Sequence, residues 1–180
     1  MGSRDFGDAH GGLCHCPSLF HIHVGLIVLN YHDMEIGKVF QLGPKTVTAD
    51  EIVRFAEKFD PQPFHLDPAS PQAELTGGLI ASGWHTCSIF MRMMCDAYIL
   101  NSTSQGSGGL DEVRWLKPVR PNDTLSGTAK VVDKRISKSR PEMGIVHFDY
   151  ELHNQNKETV MTISGTGMIG TAVPQEAADN

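Results

Sequence analysis

An aspartate and a histidine stand five residues apart in Phe59-Asp60-Pro61-Gln62-Pro63-Phe64-His65-Leu66-Asp67, with two prolines between them. Each proline fixes its own φ and gives up a backbone donor. Each also disfavours helical backbone in the residue before it. The expectation is a stiff, extended loop that is neither a helix turn nor a central strand. Such a loop holds two proton-transfer groups at a fixed separation. If both face one pocket, a carboxylate and an imidazole can share a water molecule, one taking its proton and the other supplying one. The same residues also suit a plain turn, because Asp beside Pro commonly ends a helix or opens a bend.

The flanking elements give the pair its context. Thr48-Ala49-Asp50-Glu51 reads as a capping box, and Ile52, Val53, Phe55, Ala56 and Phe59 follow at helical spacing. That helix must stop by Pro61, which delivers Asp60 at its C-terminus. There the macrodipole disfavours a carboxylate, so a raised pKa is expected. Asp67-Pro68 has the form of an N-cap and first-turn proline, opening a short helix that ends at Thr76-Gly77-Gly78. The longest apolar stretch, Leu79 to Leu100, reads as one helix buried nearly all round, with Ile80, Trp84, Cys87, Phe90, Met91, Met94, Cys95 and Tyr98 around its circumference. A helix of that kind needs a sheet wrapped about it. Near its start Gly83, in Ala81-Ser82-Gly83-Trp84, lets a ligand approach amides that have no intrahelical acceptor. Such an amide can hold a thioester oxygen as it becomes an enolate. Close helix–sheet packing is an equally good reason for the glycine.

The remainder reads as β-structure. A strand is expected over Ile36 to Leu42, and another from Val113 to Leu116, ahead of the proline-rich Lys117-Pro118-Val119-Arg120-Pro121-Asn122-Asp123. Long strands follow over Thr124 to Ile136, Ile145 to His153 and Thr159 to Thr171, with a turn at Asn154-Gln155-Asn156. Val146, Phe148, Tyr150 and Leu152 alternate with polar residues, which gives one buried and one wet face. Gly165 and Gly167 suggest close approach by a neighbouring strand. Lys134, Arg135, Lys138 and Arg140 cluster at one hairpin tip, either as a solvated loop or as a seat for the phosphates of a large anion.

Composition narrows the classes. A chain of 180 residues fits one domain with a real core. A net charge of −6 argues against a nucleic-acid partner, and no run reaches the ~18 apolar residues of a membrane span. Cys14, Cys16, Cys87 and Cys95 make no disulfide framework, so a reducing, cytoplasmic setting is expected. Residues 1–30 differ from the rest and read as a leader or attached arm outside the fold. Their Cys14-His15-Cys16 with His10, His21 and His23 matches no usual zinc spacing, so no metal is assigned. The domain is expected over residues 31–173, with a tail at 174–180.

One strand, two helices around a loop site and a run of long antiparallel strands is the element order of an α+β hot-dog fold. Asp60-Pro61-Gln62-Pro63-Phe64-His65-Leu66-Asp67, Gly78-Leu79-Ile80-Ala81-Ser82-Gly83-Trp84-His85 and Leu116-Lys117-Pro118-Val119-Arg120-Pro121-Asn122-Asp123-Thr124-Leu125 resemble the MaoC-like dehydratases, relatives of the R-specific enoyl-CoA hydratases. The resemblance covers roughly residues 34–171. Gln62 stands where the family motif has Asn, and Lys58-Phe59 where it has Ser-Gly. The resemblance implies that Asp60 and His65 hold the water added to an enoyl-CoA, and that the Gly83 amide polarises the thioester carbonyl. It further implies that Gln62, Phe64, Ser82, Trp84 and His85 shape the substrate site. No helix serine is assigned, since Met91 occupies the nearest position and Ser88 lies a turn earlier. No cofactor is implied, because CoA is part of the substrate, and a homodimer is expected. The rival readings are an acyl-CoA thioesterase, a non-catalytic acyl-CoA-binding protein and a zinc-binding interaction protein built on the leader.

Overall fold

Alternation of apolar and polar residues produces one antiparallel sheet of five strands in the order β1-β3-β4-β5-β2. The strands are β1 (Val39–Thr46), β2 (Gly109–Trp115), β3 (Thr124–Ile136), β4 (Met143–His153) and β5 (Thr159–Gly170). The computed structural model describes residues 28–172. The leader, its Cys and His residues and the C-terminal tail thus lie outside the described residues.

On the inner face, Leu125, Ala129 and Val131 of β3 join Val146, Phe148 and Leu152 of β4 and Met161 of β5, all essentially inaccessible to solvent. Across them runs α4 (Gly83–Ala97), which presents Ile89, Phe90, Met93 and Met94 to the same core. This is the hot-dog arrangement expected, an α+β fold with a sheet curled about a helix. The helix is shorter than the apolar stretch and is not buried all round. His85, Thr86, Ile89, Phe90, Met93 and Met94 form one buried stripe, while Trp84 and Met91 are 64% and 47% exposed. A single curved sheet covers only one side of a helix, and the opposite face stays open.

The connections also depart from expectation in instructive ways. β1 starts at Val39 because Gly37, at φ 89°, closes a turn before it. Helix α1 (Ala49–Phe59) begins at the capping box, with Thr48 Oγ1 accepting from Glu51 N and Glu51 Oε2 accepting from Thr48 N. The prolines do not keep residues 63–66 extended: Pro63–Leu66 is a single helical turn, α2. Proline is at home in a first helical turn, and the pre-proline restriction falls on Gln62, at φ −80° and ψ 140°. Asp67 is not a cap. Its Oδ1 accepts from Ala69 N in a turn, and α3 (Pro71–Thr76) starts later with Ser70 as N-cap and ends at left-handed Gly77. Gly165 does meet its neighbour, since a Cβ there would stand 2.8 Å from a Leu110 methyl, whereas Gly167 makes only ordinary contact.

Ile52 is fully buried where α1 meets the core. Ile52→Ala should therefore cost about 2–5 kcal/mol of unfolding free energy, measured by denaturant titration. A loss below about 0.5 kcal/mol, the range of surface substitutions, would show that α1 is not anchored through this residue.

Candidate active site

Three chain segments meet at one end of the sheet. Phe64 O accepts from Ile80 N at 3.2 Å, and Val119 O accepts from Ala81 N at 2.8 Å. The turn α2, the approach to α4 and the loop after β2 are thereby laced together. They enclose a cavity of about 370 Å³ lined by Asp60, Gln62, His65, Ser82, Gly83 and Trp84, with Trp115 to Val119 on the far wall.

The ring of His65 is buried and fixed. Its Nδ1 lies 2.7 Å from the Ile80 carbonyl oxygen. A carbonyl only accepts, so Nδ1 carries a proton, and Nε2 is the ring atom that faces Asp60. Nε2 stands 3.4 Å from Asp60 Oδ2. In the neutral state both atoms are acceptors, and a water molecule donating one proton to each satisfies them together.

Asp60 caps the end of α1, yet its carboxyl is held below the usual carboxylate range, not above it. The chief cause is the Ser82 hydroxyl, which donates to Oδ2 at 2.6 Å. Burial pulls the other way, and the Gln62 amide, donating to Oδ1 at 2.7 Å, and a charged His65 add to the lowering. The expectation of a raised pKa is corrected: charge-assisted hydrogen bonds to the anion exceed the helix-end effect.

Gly83 opens α4 at its first position, where no intrahelical acceptor exists. The next amide, Trp84 N, is capped by Ser82 Oγ at 3.2 Å. The Gly83 N–H is thus the helix-start donor on the cavity wall. Packing also demands glycine here. A Cβ would stand 2.7 Å from Trp115 Cε2, and the Trp115 indole donates to the Gly83 carbonyl at 3.0 Å. The packing reason given for the glycine is thus met.

Phe64 and His85 lie outside the cavity lining. Phe64 packs edge-on against the His65 ring at 4.4 Å and so holds it in place. His85 faces the other way, stacked on Phe55 at 4.8 Å. Its Nδ1 is buried without a hydrogen-bond partner, and burial pushes its pKa down. Trp115 and Lys117 line the cavity without having been singled out in the sequence. Only the pairing of β2 with β5, which sets Trp115 opposite Met161, brings them there. The basic hairpin tip lies at the opposite end of β4 and β5, roughly 30 Å away at strand rise. Its Lys134 donates to the Tyr31 carbonyl and Arg140 pairs with Glu142, so the tip serves local structure and not this cavity.

Comparison with known proteins agrees with this geometry. The family model described as MaoC like domain matches residues 33–149. YdeM, an uncharacterized protein of Bacillus subtilis (strain 168), is 30% identical over 128 residues, 71% of this chain and 89% of the relative. The crystal structure of a MaoC-like dehydratase from Rhodospirillum rubrum is 35% identical, with a TM-score of 0.73 over 81% of this chain and 99% of that one. The fold is shared with the R-hydratase PhaJ1 of Pseudomonas aeruginosa, 19% identical with a TM-score of 0.66 over 84% of this chain and 94% of that one. The chain belongs to the MaoC-like dehydratase family.

Proposed function

We propose that the protein is a hydro-lyase that adds water across the 2,3 double bond of an enoyl-CoA thioester, or removes it from the 3-hydroxyacyl thioester. The observation that carries this reading is the facing pair Asp60 Oδ2 and His65 Nε2, 3.4 Å apart in the cavity that Gly83 also lines. Water donates one proton to each, which leaves its oxygen lone pairs free for C3. As oxygen bonds to C3, the π electrons move through C2 onto the thioester oxygen. The Gly83 N–H stabilises that oxygen as an enolate. Asp60, held as a carboxylate, orients the water, whereas imidazole is the side chain suited to taking and returning a proton near neutrality. Nε2 accepts the released proton and delivers it to C2 as the enolate collapses. Every part of the step is supplied by side chains and one backbone amide, without a metal or redox cofactor.

A thioesterase reading draws no comparable support. The acid on α4 is Asp96, which pairs with Arg92 at 2.8 Å and lies outside the cavity lining.

The open edge of the sheet, among the described residues, supports a homodimer. β2 exposes nearly its whole length, and Leu110 and Trp115 on it stand with Trp84 and Met91 of α4 as exposed apolar surface. An unpaired, apolar edge of this kind is covered in a stable protein. Light scattering should give twice the chain mass of 19.7 kDa, and a monomer would overturn the proposal.

Asp60→Asn and His65→Ala should each lower kcat for crotonyl-CoA hydration by about 10²–10⁴-fold with an intact fold. Turnover close to wild type in either variant would remove the shared-water role.

The hydrogen bond from Ser82 predicts a pH effect with a definite sign. A depressed folded pKa contributes stability at pH values above the unfolded value, and the contribution is lost as pH falls through the folded pKa. Ser82→Ala should raise the Asp60 pKa, read by carboxyl-carbon NMR. The stability gap between wild type and variant should be full above about pH 5 and shrink as pH falls below the ordinary aspartate value of ~3.9. A gap that stays constant with pH would mean that Ser82 acts only as the cap of α4.

A further inference from the structure

A second cavity, of about 470 Å³, lies further along α4. Cys87 lines it and also lies against Trp115, which lines the first cavity. Gly83, Trp84 and Thr86 of the helix line one cavity, and Cys87, Phe90, Met91 and Met94 line the other. The second lining is dominated by apolar side chains and, among the described residues, contains no Lys, Arg, His, Asp or Glu.

Within it stand two buried phenols, Tyr98 and Tyr150. Their hydroxyl oxygens are 3.4 Å apart, and the Tyr98 hydroxyl lies 3.6 Å from Met94 Sδ. Both contacts are weak, since O–H···O bonds favour about 2.7–2.8 Å and a thioether is a poor acceptor. Buried hydroxyls normally find better partners. Burial raises both pKa values, so the pair stays protonated and offers donors. One ligand oxygen set between the two phenols accepts from both. A carboxylate is disfavoured, because an anion in this lining meets no cation.

We infer that this cavity takes the acyl chain of the thioester and that the Tyr98–Tyr150 pair selects chains bearing an uncharged oxygen, a hydroxyl or keto group, far from the thioester. The inference rests on the hydratase reading for the identity of the ligand. Met94 is eleven residues beyond Gly83, roughly 16 Å along the helix axis, which suits a chain of medium length.

The test is calorimetric binding of saturated, unreactive thioesters to the full chain: decanoyl-CoA, ω-hydroxydecanoyl-CoA and the ω-carboxy analogue. Wild type should bind the hydroxylated chain roughly tenfold more tightly than the plain one, and the carboxylated chain most weakly. Tyr98→Phe and Tyr150→Phe keep the rings and remove the hydroxyls, and each should bring the hydroxy-to-plain ratio near one. Thermal melting identifies either variant that has lost its fold, and the wild-type ratio stands without them. The inference fails if wild type shows no preference, binds the carboxylated chain best, binds none of the three, or keeps its preference in both variants. Crotonyl-CoA hydration is assayed on the same preparation. No hydration with the preference present sinks the hydratase reading alone, and hydration without the preference sinks the tyrosine selection alone.

Discussion

The Ser82 hydroxyl is the smallest group in the site and the one that most constrains it. It donates to Asp60 Oδ2 and accepts from Trp84 N, so both of its hydrogen-bonding capacities are used, and the residue is 1% exposed. One end of the arrangement is the C-cap of α1 and the other is the N-cap of α4, 22 residues further along the chain. The hydroxyl therefore fixes the spacing between the acid and the helix start. Because Gly83 is its immediate neighbour, the amide and the carboxylate move together or not at all. A charge-assisted bond in so protected a place is among the stronger kinds available to a neutral donor.

His65 is held by different means. The Ile80 carbonyl sets its tautomer, and the Phe64 ring sets its plane. The turn that carries it is tied through Ile80 to the segment preceding α4, and Ala81 ties that segment to the loop after β2. The site is thus a set of loops bound crosswise at one end of the sheet. Each reactive group has a partner that limits its motion before any ligand arrives, which is what electrostatic preorganisation requires.

Much of this was legible in the residues alone, and the failures share a cause. The strand alternation, the capping box at Thr48 and the stop at Pro61 are local signals, and the structure follows them closely. The Asp60 pKa was misjudged because its strongest influence, Ser82, comes from a distant segment, while the helix-end effect is local and visible. Residues 63–66 turned helical because proline at a first helical position is permissive, a choice that the next hydrogen bond settles. The apolar count of Leu79–Leu100 did not reveal an open face, because Trp84 and Met91 are apolar yet exposed. Trp115 had no signal of its own, since its place depends on the register of β2 against β5. The resemblance places His85 in the pocket beside Trp84, but successive helical residues point about 100° apart, and His85 stacks on Phe55 instead.

The short turn at Tyr31–Asp33 has a practical bearing. Tyr31 covers Gly144 so closely that a Cβ there would stand 1.9 Å from the ring, and Leu29 bonds to Asn101 and Thr103. The described chain therefore enters the domain beside the β3–β4 hairpin, at the end of the sheet opposite the Asp60 cavity. A reporter dye or surface-capture handle attached at residue 28 is joined to the domain at that remote end, leaving the mouth of the Asp60 cavity facing solution in an immobilised assay.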